Sequence, residues 1–281
     1  MSRDPDKRRR GAALSLLSMD SVTALERTLR SEVIPRLVRA HRKQPPGGRA
    51  SLVPGPGDVD RFLLEILADR APEAYRTVEM LLAEGVELDE LCLGLLGPAA
   101  SRLGQLWSDD RCDFTTVTVA LGRLHRLMRE LGTAFDTPLP SATKPPRALL
   151  AQPAEEQHLF GLAMVAEFLR RDGWDVLGGV GGSVPDPGAR VREDAVDIVG
   201  LSIGSDERLD WLHETVHRVR AMSLNRNVKV LVGGPVFVAH PEWAAEVGAD
   251  GTARDARQAV ELAHALAVAG MSSMELEAPE G

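Results

Sequence analysis

Two hydrophobic rhythms divide this chain. Between residues 58 and 134 apolar side chains recur every three to four positions, the period of a helix with one buried face. Phe62, Leu63, Ile66 and Leu67 form a first stripe, and Tyr75, Val78, Met80, Leu81 and Leu82 a second. Leu88, Leu91, Leu95, Leu96 and Leu103 form a third, and Phe114, Val117, Leu121, Leu124, Leu127, Met128 and Leu131 a fourth. Asp58 and Asp113 sit where N-caps belong. The connections are short, so neighbouring helices run antiparallel, and the pattern predicts a small four-helix bundle.

From 147 to 270 the rhythm changes to short apolar runs alternating with helical stretches. Strands are predicted at 147–152, 174–178, 197–203, 228–233 and 250–253. Helices are predicted at 158–172, near 188–195, at 207–222, at 241–247 and near 257–268. Strands this apolar are buried on both faces, the mark of a parallel sheet covered by helices on either side. Right-handed crossovers then give a flavodoxin-like five-stranded α/β fold, order 2-1-3-4-5. A ligand of such a sheet lies beyond the carboxyl ends of the strands, where strand order reverses, beside the loops after the first and third strands.

Around these two regions lie segments of another character. Residues 1–57 hold a basic tip (Lys7 to Arg10), a helical stretch near Ser21 to Arg42 and a Pro/Gly run that reads as a flexible linker. Residues 135–146 are a second, Pro-rich linker, and 271–281 an acidic tail. The net charge of −8 argues against a direct nucleic-acid binder, which needs a basic footprint. No apolar run is long enough to span a bilayer and no secretion signal is read, so the chain is expected in the cytoplasm. Cys92 and Cys112 are the sole cysteines, which suits a reducing compartment and offers no thiol-rich zinc site.

The candidate chemistry collects at strand ends. After the first strand comes Glu156-Gln157-His158-Leu159-Phe160-Gly161, of the form acid-x-His-x-x-Gly. An imidazole at the mouth of the sheet can ligate a metal, and a carboxylate two residues earlier can accept its other ring N–H. Gly161 lets a bulky ligand approach the backbone. Ser202-Ile203-Gly204 ends the third strand and Gly233-Gly234 the fourth, so all three elements meet at one crevice.

Together these residues resemble the cobalamin-binding domains of methionine synthase and the adenosylcobalamin mutases, whose signature is Asp-x-His-x-x-Gly, then Ser-x-Leu, then Gly-Gly. The resemblance implies cobalamin bound base-off, with His158 as the cobalt ligand and Glu156 orienting it. Ser202 would contact the base of the displaced nucleotide tail, and Gly233 and Gly234 would make room for it. Glu156 stands where Asp is usual and Gly204 where Leu is usual. The helical region occupies the place of that family's four-helix cap. Its segment Leu103-Gly104-Gln105-Leu106-Trp107-Ser108-Asp109-Asp110 resembles the part whose Trp packs over the corrin, which makes Trp107 the candidate for that role, with Phe114 sharing the upper face. A large adenosyl group is then expected to fit poorly, but the hydroxo-, methyl- or adenosyl- form is left open. Light-sensing regulators of the CarH type carry a Glu-His pair ten residues after that Trp and a His directly after it. Here the positions hold Val117-Thr118 and Ser108, so their photochemistry does not transfer, and His41 and His125 are the remaining upper-ligand candidates.

His213-Glu214-Thr215-Val216-His217 matches the zinc-protease helix pattern, but it lies at the edge of an apolar stripe with no third ligand following, and a protease is not expected. The glycines at 178–182 follow the second strand and do not form a dinucleotide fingerprint. A cap and a cobalamin domain with no appended catalytic domain leave two main readings. The chain resembles the AerR/PpaA group of purple photosynthetic bacteria, which implies a light- or redox-responsive antirepressor whose partner is a repressor of photosynthesis genes. The alternative is a corrinoid carrier for a methyltransferase, and a related reading puts haem in the same fold. No catalytic residue is expected under the regulator reading.

Overall fold

The computed structural model describes residues 52–68, 71–135, 145–154, 156, 159–179, 184 and 186–275. The basic tip, the helix expected over Ser21 to Arg42, His41 and most of both linkers lie outside the described residues. So does His158. The chain divides into two compact units: one holds the helical residues up to Leu95 and from Leu103 to Phe135, the other holds Leu96–Arg102 and the residues from Asp136 onward. Among the described residues no helix is long and apolar enough to cross a membrane.

The helical region contains α1 (Pro56–Leu67), α2 (Ala71–Glu84), α3 (Leu88–Leu91), α4 (Gly97–Ser108) and α5 (Phe114–Phe135). The cap of α1 is Gly55, three residues before the aspartate expected there. Pro56 takes the first helical position, where no N–H is needed. Asp58 then serves from inside the helix, its carboxylate accepting the Gly55 N–H at 2.9 Å. Asp113 does cap α5, accepting the Thr116 N–H at 2.9 Å and its hydroxyl at 2.7 Å.

The third leucine stripe is not one helix. A π turn, Cys92–Leu96, joins α3 to α4. Its extra residue shifts the helical face, and Leu91, Leu95, Leu96 and Leu103 all remain fully buried. Gly94 lies in that turn because Pro54 packs on it. A Cβ there would stand 3.0 Å from the proline ring. Phe62, Ile66, Val78, Leu82, Leu124, Leu127 and Met128 are among the other buried residues. Two stripe members leave it: Met80 and Phe114 are exposed. Polar ties also cross between helices. Tyr75 donates to Glu130 at 2.6 Å, Thr77 to Glu65 at 2.8 Å, and Arg123 to the Ile66 carbonyl at the end of α1 at 2.6 Å.

In the α/β unit five parallel strands stand in the predicted order β2-β1-β3-β4-β5. They are β1 (Arg147–Ala151), β2 (Asp175–Gly178), β3 (Ile198–Ser202), β4 (Lys229–Gly233) and β5 (Gly251–Thr252). The helices are α6 (Leu159–Arg171), α7 (Pro187–Glu193), α8 (Leu209–Met222, preceded by a 3₁₀ turn at Asp206–Arg208), α9 (Pro235–Ala239), α10 (Trp243–Glu246) and α11 (Ala256–Glu275). Helix α9 is an addition to the sequence reading, and α11 continues five residues into the stretch expected to be a loose tail.

Alternation along each strand sends side chains to both faces of the sheet. Leu149, Ala151, Val199, Leu201, Val230 and Val232 meet Leu212, Val216 and Val219 of α8, with Val191, Phe237 and Val247. Ala148, Leu150, Ile198 and Leu231 meet Leu162, Ala166 and Leu169 of α6 and Ala263 of α11 on the other face. Each large aliphatic side chain so buried contributes about 1.5–3 kcal/mol. These two cores hold the strand ends rigidly, and the strand ends carry the site.

Candidate functional site at the carboxyl ends of the strands

The strand order reverses between β1 and β3, whose register pairs Leu150 with Gly200 and Ala151 with Leu201. Chain leaving β1 enters a compact loop, Gln152 to Glu156. The Glu156 N–H donates to the Pro153 carbonyl at 3.0 Å, closing a turn. The Gln152 side-chain amide donates to the Glu156 carbonyl at 3.3 Å. The Glu156 carboxylate reaches across the crevice and accepts the Gly204 N–H at 2.7 Å. The loop after β1 is thus fastened to the end of β3 by a charge-assisted hydrogen bond, of a kind roughly twice as strong as a neutral one.

This gives the longer acid a geometric meaning. Glu156 serves the β3 end through a backbone N–H, and the residue that donates it, Gly204, is the second departure from the family signature. Two residues after Glu156 comes His158, and Leu159 then opens α6 with its side chain 48% exposed. Gly161, in the first turn of α6, has open space where a Cβ would stand.

The remaining glycines separate into two kinds. Gly233 ends β4 paired with Ser202, and a Cβ built on it meets nothing within 4 Å, so there is free room beside the strand end. Gly234 has φ 111° and its absent Cβ would lie 2.0 Å from the Ile203 carbonyl oxygen. Its bareness is demanded by the backbone of β3, and its service to a ligand is indirect: it lets β4 turn away into α9. Ser202 is half-buried beside Gly233.

Gln152 is the residue the sequence reading missed. It is only 8% exposed, and its amide oxygen is buried with no hydrogen-bond partner. A polar residue directly after a strand reads as ordinary loop. What marks it is burial, visible only once the loop is folded.

In the helical unit Trp107, near the end of α4, and Phe114, at the start of α5, form a tilted aromatic pair with ring centroids 6.4 Å apart. They are 38% and 61% exposed, uncommon for rings of this size and unlike the buried leucines of the same helices. Thr118 is exposed and returns its hydroxyl to the Phe114 carbonyl at 2.7 Å, while Val117 is buried. His125 is half-buried on α5. Hydrogen bonds from the Thr116 backbone and then its hydroxyl hold the Asp113 carboxyl below the usual aspartate range. Asp186, which caps α7, is pushed up by burial. The Ala189 N–H, the Arg218 side chain and its charge, and the Gly188 N–H together outweigh that and lower it.

His213 and His217 are exposed on α8, ring to ring at 6.3 Å. Among the described residues no group of three or more potential ligands forms, so the zinc-protease pattern finds no third partner.

The fold and its strand-end crevice define a doubly wound, flavodoxin-like ligand-binding domain. Residues 146–261 match the family model described as B12 binding domain. A protein of Rhodobacter capsulatus, described as an uncharacterized 20.5 kDa protein in the bchF-crtJ intergenic region, is 28% identical over 168 residues. The match covers 60% of this chain and 87% of that one. Among solved structures, the monomethylamine corrinoid protein of Methanosarcina barkeri matches with TM-score 0.57 at 18% identity, over 75% of this chain and 98% of that one, and this likeness establishes the fold. A cobalamin-binding protein from Desulfitobacterium hafniense DCB-2 matches with TM-score 0.39 at 21% identity, over 74% and 98% of the two chains. None of these matches is described as a haem protein. The residues present fit a corrinoid: the room at Gly233 and the buried amide oxygen of Gln152 both suit a large ligand rich in amides.

Proposed function

We propose that this protein is a cobalamin-binding regulator, a light- or redox-responsive antirepressor that acts through a partner repressor and not on nucleic acid itself. His158 is its cobalt ligand and the nucleotide tail is buried base-off beside Ser202 and Gly233. The observation that carries the binding part is the convergence, within residues that match the B12 binding domain model, of the Glu156 loop, the end of β3 and the open space at Gly233 on one crevice. Bound cobalamin would supply a cobalt centre sensitive to light and redox state. This chain's residues supply the mount. Glu156 ties the loop after β1 to the end of β3, two residues before His158 in sequence, and Trp107 and Phe114 form an exposed aromatic pair on the helical unit. The relative encoded in a bchF-crtJ intergenic region supports the regulator reading, since the AerR/PpaA group resembled by the sequence is tied to photosynthesis genes.

The test is an ultraviolet–visible titration of the protein with hydroxocobalamin, beside a His158→Ala variant. The expected result is a shifted corrin spectrum in the wild type that is lost or weakened in the variant. No binding by either protein overturns the reading. Binding together with methyl transfer to an added methyltransferase partner would favour the corrinoid carrier instead.

A further inference from the structure

Resting on that reading, we propose that Gln152 recognises the amide periphery of the corrinoid: its side-chain oxygen accepts a hydrogen bond from one of the ligand's primary amides. Three observations converge. Gln152 immediately follows β1, the strand beside the reversal of strand order, so it stands at the edge where a ligand of this fold sits. It is more than nine-tenths buried, yet its amide oxygen has no partner. Its amide nitrogen is already committed to the Glu156 carbonyl, which fixes which end of the side chain remains free.

A buried acceptor left bare is costly, and native proteins rarely keep one without a purpose. The partner it needs is an N–H donor. A corrin ring carries such donors on its acetamide and propionamide arms, whereas a porphyrin's propionates are acceptors and would repel the same oxygen. Gln152 therefore selects corrinoid over haem and amide over acid. The oxygen is covered in the ligand-free protein, so the ligand must displace what covers it, while the backbone that carries Gln152 stays held. The neighbouring loop is closed by the Glu156 N–H to Pro153 bond and fastened to β3 through Gly204, so little ordering remains when the ligand arrives.

The experiment is a double-mutant cycle across the interface. Wild type and Gln152→Met are each titrated with hydroxocobalamin and with its monocarboxylic derivatives, in which one amide arm at a time is hydrolysed. Binding is read from the corrin spectrum. Met keeps the length and loses the acceptor. For one derivative the wild type is expected to bind roughly tenfold more weakly than it binds the parent, and Gln152→Met is expected to lose that discrimination. Hydrogen exchange of the Glu156 amide in ligand-free protein reports separately whether the variant has loosened the loop. If Gln152→Met discriminates every acid from the parent as the wild type does, the proposal falls while corrinoid binding stands, and a buried water then satisfies the oxygen. If the wild type binds no corrinoid, the functional reading falls and takes this proposal with it.

Discussion

The two units bury apolar residues equally well but mark their candidate functional residues in opposite ways. In the α/β unit the candidates are buried or half-buried and tied into the backbone: Glu156 holds Gly204, Gln152 holds Glu156, and Gly234 lies against Ile203. In the helical unit they are the side chains that escape the core. Trp107 and Phe114 are exposed, while Leu103, Leu124 and Leu127 of the same two helices are sealed. A parallel sheet creates its site by topology, because every strand delivers its carboxyl end to the same edge. A helical bundle has no such edge, and a functional surface on it must be written as a departure from its own stripe.

The contrast breaks most sharply at Gly234. Replacing it with valine drives a Cβ into the Ile203 carbonyl at a backbone angle that β-branched residues do not adopt. A loss on the order of 4 kcal/mol or more is expected, seen in urea unfolding as collapse of the α/β unit. A Gly234→Val protein that unfolds at the wild-type urea concentration would show that the strand end tolerates a shift, and the rigid-edge account would fail.

Next in size is a paired substitution in the helical unit. Leu124→Ala removes a fully buried side chain and is expected to cost about 2–5 kcal/mol. Phe114→Ala removes a larger but mostly exposed ring and should cost about 0.5 kcal/mol or less. If Phe114 is part of the corrin-facing surface, the order reverses for binding: Phe114→Ala weakens hydroxocobalamin titration and Leu124→Ala, once folded, does not. Equal stability costs for the two would place Phe114 in the core after all.

Much of this was legible beforehand, for reasons that can be named. Strand order and ends followed from runs such as Ile198–Ser202 and Val228–Gly233, whose apolarity on both faces admits one architecture. Asp113 was legible because an acid before an apolar stripe has one plain use. Helix α9 was not: Pro-Val-Phe-Val-Ala directly after Gly-Gly looks like more strand, and only the turn at Gly234 with a proline at the first helical position makes it helical. The π turn was hidden because spacing alone does not distinguish a helix with an inserted residue from a regular one. Phe114 and Met80 fitted their stripes by period and are nonetheless exposed, since periodicity identifies a helix face but not how far up the helix that face is covered. In the crevice, Glu156 could be picked out by its place in the motif. Its bond to Gly204 could not, because that depends on how two loops 48 residues apart meet.

Glu156 offers a smaller, local effect. Glu156→Gln keeps the shape and loses the charge, so its bond to the Gly204 N–H weakens by about 1 kcal/mol. Faster hydrogen exchange at the Gly204 amide is the expected readout in ligand-free protein, with global unfolding nearly unchanged. Unaltered exchange at Gly204 would mean that the Glu156 carboxylate does not hold the end of β3.

The smallest effect separates the units by acid. Asp113 has its carboxyl held below the usual range by the Thr116 N–H and hydroxyl, in the folded state only. A depressed folded value contributes stability that is present above the unfolded value, near 3.8, and is lost as pH falls through the folded one. Asp113→Asn caps the helix without titrating. Its helical unit should therefore lose less stability than the wild type between neutral pH and the folded value of Asp113, a difference of small size because the carboxyl is fully exposed to solvent. In the α/β unit Asp186 caps α7 and is lowered too, but there the Arg218 guanidinium contributes alongside the backbone N–H groups. Salt screens a charge pair more than a backbone cap. Raising ionic strength should therefore flatten the acid sensitivity conferred by Asp186 and leave that of Asp113 nearly as it was. If both respond alike to salt, the charge of Arg218 contributes little, and the two helix caps are physically the same device in two different folds.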